Sequence, residues 1–191
     1  MRRIKDIPLL RVNSNMLLKV SEEHDIVVVE CPFGDQMKPR LMEACVNEEK
    51  TLSYKTNVQA QMTSYETKSE HLTTMEEWIY QLIAGGAYTT SGNTFTYEFT
   101  NSWFAVYNNG DYTKSHMHFP AILSWVYMIN CPEGSSPLVF DTSGDYVEAK
   151  DNTMIIFPAS MRHSVPQNKC SNRVVAAGNI CWNPNLEGES K

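Results

Sequence analysis

No two cysteines of this sequence stand as a CxxC pair; the five present, Cys31, Cys45, Cys131, Cys170 and Cys181, are odd in number and scattered along 191 residues. A chain of this length buries a core without covalent staples, so a disulfide scaffold is unnecessary and the thiols are expected free and mostly buried. The chain does not open with the basic, apolar and small-residue regions of a secretory leader, which points to a reducing, cytoplasmic setting. Long hydrophobic runs are also missing. Stretches such as Ile26 to Val29 are far too short to cross a bilayer, so no membrane segment is expected. Positive charge is scarce: the net charge is −6, and basic residues gather only in the opening Met1 to Lys5, read as a solvated end. Phosphate binding needs a concentrated basic face, so nucleic acid is not an expected partner. No repeat and no low-complexity tract breaks the chain.

What is present differs between the two halves. In the first, "LLKV" and "DIVVVE" read as short paired strands, and "MKPRLMEACVNEEK" as a helix opening at Pro39, where a missing N–H costs nothing. "TNVQAQMTS" alternates Asn57, Gln59, Gln61 and Thr63 against Val58, Ala60 and Met62, the period of a strand with one polar face. In "HLTTMEEWIYQLIAGGA", Leu72, Met75, Ile79 and Leu82 recur at helical spacing. Thr73 with Glu76 offers a capping box, and Gly85-Gly86 supplies a stop. This helix is expected to brace a sheet.

From Asn93 onward the chain turns aromatic and β-branched. "TFTYEF", "SWFAVY", "AILSWVYMI", "SPLVF", "NTMIIFP" and "RVVAAGNICW" follow one another with turn residues between them, a succession that suggests a sandwich or barrel. The expected organisation is an α/β extension, 1–92, packed on a β-barrel module, 93–191.

Within that module, "YNNGDYTKSHMHFP" places His116 and His118 one residue apart after a turn at Asn108 to Asp111. On a strand, residues i and i+2 point to the same side, so the two imidazoles would form a clamp for a metal. Alone, the pair fits a surface or hydrogen-bonded core pair equally well. His163, in "IIFPASMRHSVPQN", follows a buried-looking strand and a turn, a position on the next strand that makes it the third candidate ligand. Neutral imidazoles suit a borderline transition metal and leave coordination positions open. No cysteine lies near either motif to close a structural zinc site. Arg173 opens "RVVAAGN"; an arginine in an apolar barrel needs an anion, either a ligand carboxylate or a side chain such as Asp141 or Glu98.

Taken in order, "YNNGDYTKSHMHFP", "SWVYM", "IIFPASMRHSVP" and Arg173 resemble the iron(II)- and 2-oxoglutarate-dependent oxygenases, in particular small members found in marine bacteria and phages. The resemblance spans roughly Trp103 to Trp182. It implies a mainly-β fold, the double-stranded β-helix or cupin-like jelly roll. It implies His116, His118 and His163 as metal ligands and catalytic centre, and Arg173 on the far carboxylate of 2-oxoglutarate. Tyr107, Ser124 and Asn179 are implied around the cosubstrate, with Gly110 completing a "YxxG"-like element.

Two positions depart from the family. His118 stands where an aspartate or glutamate normally ligates iron, and Val175 where a serine often follows the arginine. A neutral imidazole in place of a carboxylate raises the net charge at the metal by one, and it resembles the three-histidine iron site of thiol dioxygenases. The implied activity is hydroxylation of an unknown substrate using Fe(II), dioxygen and 2-oxoglutarate, with release of succinate and CO2. Its rivals are a three-histidine cupin dioxygenase that needs no 2-oxoglutarate, and a non-catalytic metal- or ligand-binding jelly roll.

Overall fold

Strand β6 (Leu123–Asn130) is buried at nearly every position, on both of its faces. A strand of that kind needs cover on each side, and the chain supplies it as three layers. The computed structural model describes residues 24–83 and 97–182. Their elements run β1 (Val27–Glu30), α1 (Gly34–Asn47), β2 (Val58–Gln59), β3 (Gln61–Met62), α2 (Glu70–Leu82), β4 (Tyr97–Tyr107), β5 (Tyr112–His116), β6, β7 (Leu138–Phe140), β8 (Tyr146–Val147), β9 (Thr153–Pro158), β10 (His163–Val165) and β11 (Arg173–Trp182). A six-stranded sheet, β1-β9-β6-β11-β4-β3, faces a five-stranded sheet, β2-β5-β10-β7-β8. All strand pairings between these elements are antiparallel.

The period-two rule divides the larger sheet's side chains between two cores. Phe104, Trp125, Tyr127, Ile129 and Ile156 pack with the helices, where Leu72, Met75 and Ile79 form the buried stripe of α2. Trp103, Ala105, Tyr107, Met128, Phe157 and Val175 point the other way, into the space between the sheets. Ser69 caps α2, its hydroxyl accepting from His71 N at 3.3 Å. Gly110 takes a φ of +89° in the turn between β4 and β5, a left-handed conformation that glycine adopts without cost. Among the described residues, no helix is long and apolar enough to cross a membrane.

Several local expectations change. The strand "DIVVVE" is β1, but its partner is β9; "LLKV" lies outside the described residues, as do Gly85-Gly86 and the 92/93 boundary. Helix α1 begins at Gly34, so Pro39 lies inside it. Thr73 lies within α2, where its hydroxyl donates to Ser69 O at 3.2 Å, so Ser69 replaces the Thr73–Glu76 box. "TNVQAQMTS" is two short strands in different sheets, β2 beside β5 and β3 beside β4. "TFTYEF" and "SWFAVY" run together into β4 because β11 pairs along its whole length. Strands from the first half thus join both sheets.

Candidate metal centre

β5 and β10 lie side by side, and His163 is the Cα partner of His116. Partner residues on adjacent strands project to one face, so register alone brings these imidazoles together, with ring centroids 4.4 Å apart. His118 arrives by another route. β5 ends at His116, and the turn beyond it is pinned by His118 N–H donating to Ala159 O at 2.8 Å and Ala121 N–H donating to His118 O at 2.9 Å. The expected strand parity of His116 and His118 is therefore replaced by a pinned turn, which stacks the His118 ring on His163 with Nε2 atoms 3.2 Å apart. The ligand atoms of all three histidines lie within 4.8 Å of one another.

The tautomers suit ligation. Nδ1–H of His116 donates to Lys114 O at 2.8 Å and Nδ1–H of His163 to Met161 O at 3.0 Å, which leaves each Nε2 with a bare lone pair. Burial lowers the pKa of all three imidazoles. His118 falls to about 3, with repulsion from His163 and His116 adding to burial, and His163 falls to about 4, with repulsion from His116. All three are therefore neutral at physiological pH, the form a metal requires. Two Nε2 atoms 3.2 Å apart can both reach one ion at a bond length of about 2.1 Å. Among the described residues, no carboxylate joins the cluster. Asp111 instead accepts from Tyr54 Oη and Asn108 N, both at 2.8 Å, and exposed Asp141 accepts from Ser164 Oγ at 2.6 Å.

Two cavities meet at the histidines, and Val58, Trp103, His116 and His118 line both. The inner one is narrow and mostly apolar, and Arg173 lines it together with all three histidines. Arg173 is 1% exposed, yet its Nε and Nη1 have no hydrogen-bond partner. Its Cζ lies 4.6 Å from the centre of the Tyr107 ring, and the Tyr107 hydroxyl hydrogen-bonds Thr113 Oγ1 at 2.7 Å. Burial pushes the Tyr107 phenol up against the opposing pull of Arg173, so it stays protonated. Neither Asp141 nor Glu98 pairs with Arg173: Asp141 is exposed beside Ser164, and Glu98 is the register partner of Cys181, at the far end of β11. A buried guanidinium left in that state is strongly unfavourable unless an anion meets it.

Ser124 and Asn179 are not brought together with this group. They are register partners on β6 and β11, with Ser124 Oγ donating to Asn179 Oδ1 at 3.0 Å. Asn179 stands near the opposite end of β11 from Arg173, roughly 20 Å away along an extended strand. It lines the outer cleft, a cavity of about 530 Å³, while Ser124 lines neither cavity. Val175 lines the inner cavity. Asn57 and Tyr65 also line the cleft, while Gln59 and Gln61 do not.

Trp103 also belongs to the site, lining both cavities. Its ring lies 6.1 Å from that of His118 and 5.1 Å from that of Tyr65. It shares the inner face of β4 with Ala105 and Tyr107, and that alternation was the available signal. Trp125 is core and Trp182 is 46% exposed.

No family model and no curated protein matches the sequence. Solved structures do. A viral collagen prolyl hydroxylase from Paramecium bursaria Chlorella virus-1, in complex with 2OG, superimposes with a TM-score of 0.65 at 16% identity, over 81% of this chain and 94% of that one. A prolyl-4-hydroxylase from Pseudomonas putida gives 0.58 at 15% identity, over 84% and 94%. An oxidoreductase of the 2OG-Fe(II) oxygenase family from Burkholderia pseudomallei gives 0.59 at 12% identity, over 82% and 84%. At these identities the likeness is one of fold: the chain has the mainly-β double-stranded β-helix of these oxygenases.

Proposed function

We propose that this protein is an Fe(II)- and 2-oxoglutarate-dependent oxygenase that hydroxylates its substrate. One observation carries the reading: the buried guanidinium of Arg173, whose Nε and Nη1 have no hydrogen-bond partner, lines the same narrow cavity as three converging imidazoles. 2-Oxoglutarate has the matching chemistry, a 2-oxo acid that chelates a metal and a second carboxylate suited to a guanidinium fork.

His116, His118 and His163 would hold the iron, and their Nδ1 contacts to Lys114 and Met161 hold two of the rings in place. Arg173, with its charge over the Tyr107 ring, would hold the far carboxylate and so fix the cosubstrate's direction in the cavity. Val126, Leu138, Val165, Val175 and Ala177 exclude water between the two. Iron(II) held there would let one dioxygen oxidise both partners, 2-oxoglutarate to succinate and CO2 and a substrate C–H to C–OH. Because His116 and His118 line both cavities, a substrate in the outer cleft meets the metal from the side away from Arg173. The odd, scattered cysteines remain the argument for a reducing, cytoplasmic setting.

A second reading draws on the missing carboxylate: a three-histidine iron dioxygenase that uses no 2-oxoglutarate. The two separate cleanly. Aerobic incubation with Fe(II) and 2-oxoglutarate yields succinate under the first reading, stopped by omitting either. The second yields no succinate under any condition.

A further inference from the structure

We propose that the outer cleft binds an uncharged, carbonyl-bearing group of the substrate, read by the side-chain amides of Asn179 and Asn101; this rests on the oxygenase reading for the claim that the bound group is the substrate. Among the described residues, none lining that cleft is Asp, Glu, Lys or Arg. A charged group drawn onto that wall would lose water and find no oppositely charged side chain there, which is costly.

The polar groups that are there have a defined sense. Ser124 is 1% exposed, and its hydroxyl donates to Asn179 Oδ1 at 3.0 Å, which occupies the acceptor end of that amide. Asn179 lines the cleft, and its Nδ2 has no protein partner among the described residues, so the amide has N–H donors to offer. Asn101 is its register partner on β4, and Thr100 Oγ1 donates to Asn101 Oδ1 at 3.3 Å, which leaves the same end of a second amide available.

A β-bulge sets the pair in place. Asn179 pairs with Asn101 and Ile180 with Phe99, so Thr100 is the extra residue, its hydroxyl 3.5 Å from Asn179 O. Bulges re-aim side chains at the rims of barrels. Two residues along the strand from Asn101, Trp103 lies against His118, so the amides stand one strand repeat, about 7 Å, beyond the indole. Two donors with no cation fit a neutral carbonyl oxygen better than a carboxylate. The cleft also includes Met117, Phe119 and Pro120 of the β5–β6 turn, with Phe119 83% exposed, which suits an apolar substituent on the same molecule. The class indicated is a neutral amide or ester with an apolar part.

The test uses three matched probes on the full chain: N-benzylacetamide, phenylacetate and benzylammonium, followed by the side-chain NH2 signals of Asn101 and Asn179 and the indole signal of Trp103 in NMR titrations. The neutral amide is expected to shift all three, with the charged probes at least about tenfold weaker, the size of one lost hydrogen bond to a desolvated group. Asn179→Asp, which replaces the donors by acceptors, should weaken N-benzylacetamide by about tenfold or more. It should leave the visible band of the Fe(II)–2-oxoglutarate chelate unchanged, which also reports that the variant is folded. The proposal is overturned if the neutral amide shifts none of these signals, if a charged probe binds as well, or if Asn179→Asp binds N-benzylacetamide like wild type. Absence of the chelate band in the wild type instead contradicts the cosubstrate reading and leaves the probe result standing.

Discussion

His163 and His116 face each other as Cα partners across β5 and β10, ring centroids 4.4 Å apart, so the register of one short strand pair sets the geometry of the candidate metal centre. His118 then joins through the hydrogen-bonded turn after β5.

Replacing His116 or His163 with Ala is expected to abolish stoichiometric Fe(II) binding while far-UV circular dichroism stays unchanged. The loss should exceed the roughly 10- to 100-fold that removal of an outer-shell partner costs. His118→Asp, which installs the carboxylate that iron(II)- and 2-oxoglutarate-dependent oxygenases usually carry, should retain iron. Anaerobic Fe(II) titration of the three variants checks this; wild-type affinity in either alanine variant removes that residue from the ligand set.

Acid should destabilise the metal-free protein through the same cluster. Burial, with repulsion between the imidazoles, holds His118 to about 3 and His163 to about 4, against an ordinary 6.5. Between these values the unfolded chain binds protons that the folded chain does not. The cluster's contribution to stability is therefore full above pH 6.5 and is lost as pH falls through about 4 and then about 3. Urea midpoints of the metal-free protein at about pH 7.5 and about pH 5 should show the drop, and His118→Asn should reduce it.

A fragment covering 91–191 should not fold alone. It would lose β1, β2 and β3, which pair with β9, β5 and β4, and both helices, which cover Phe104, Trp125, Tyr127 and Ile129. Apolar sheet surface exposed on that scale favours aggregation. Size-exclusion chromatography and urea unfolding check it; a soluble, cooperatively unfolding fragment makes the first half dispensable.

The parts of this fold legible in the sequence were those carried by local periodicity. The stripe Leu72, Met75 and Ile79 marked α2, and the alternating apolar strands after Asn93 marked the barrel. Less legible was whatever depends on partners distant in the chain. β1 pairs with β9 across more than a hundred residues, and Ala60 divides one alternating segment between two sheets. At the site, three histidines and an arginine stood out by residue type. Trp103 did not, since an aromatic on a strand reads as core until the opposite sheet is known to leave a cavity there. Ser124 and Asn179 carried no local sign of which end of the barrel they occupy.

The central claim is that Arg173 meets the far carboxylate of 2-oxoglutarate. Its loss would leave that carboxylate buried and unpaired, a penalty of about 2 to 5 kcal/mol, or roughly thirtyfold to several thousandfold in affinity. The direct measurement is anaerobic titration of 2-oxoglutarate into Fe(II)-loaded wild type, Arg173→Ala and Arg173→Lys, following the visible charge-transfer band of the chelate. The account predicts a saturable band in wild type, a partial one in Arg173→Lys, and none in Arg173→Ala at the same 2-oxoglutarate concentrations with Fe(II) still bound. A wild-type protein that shows no change on adding 2-oxoglutarate, or an Arg173→Ala variant that titrates like wild type, contradicts it.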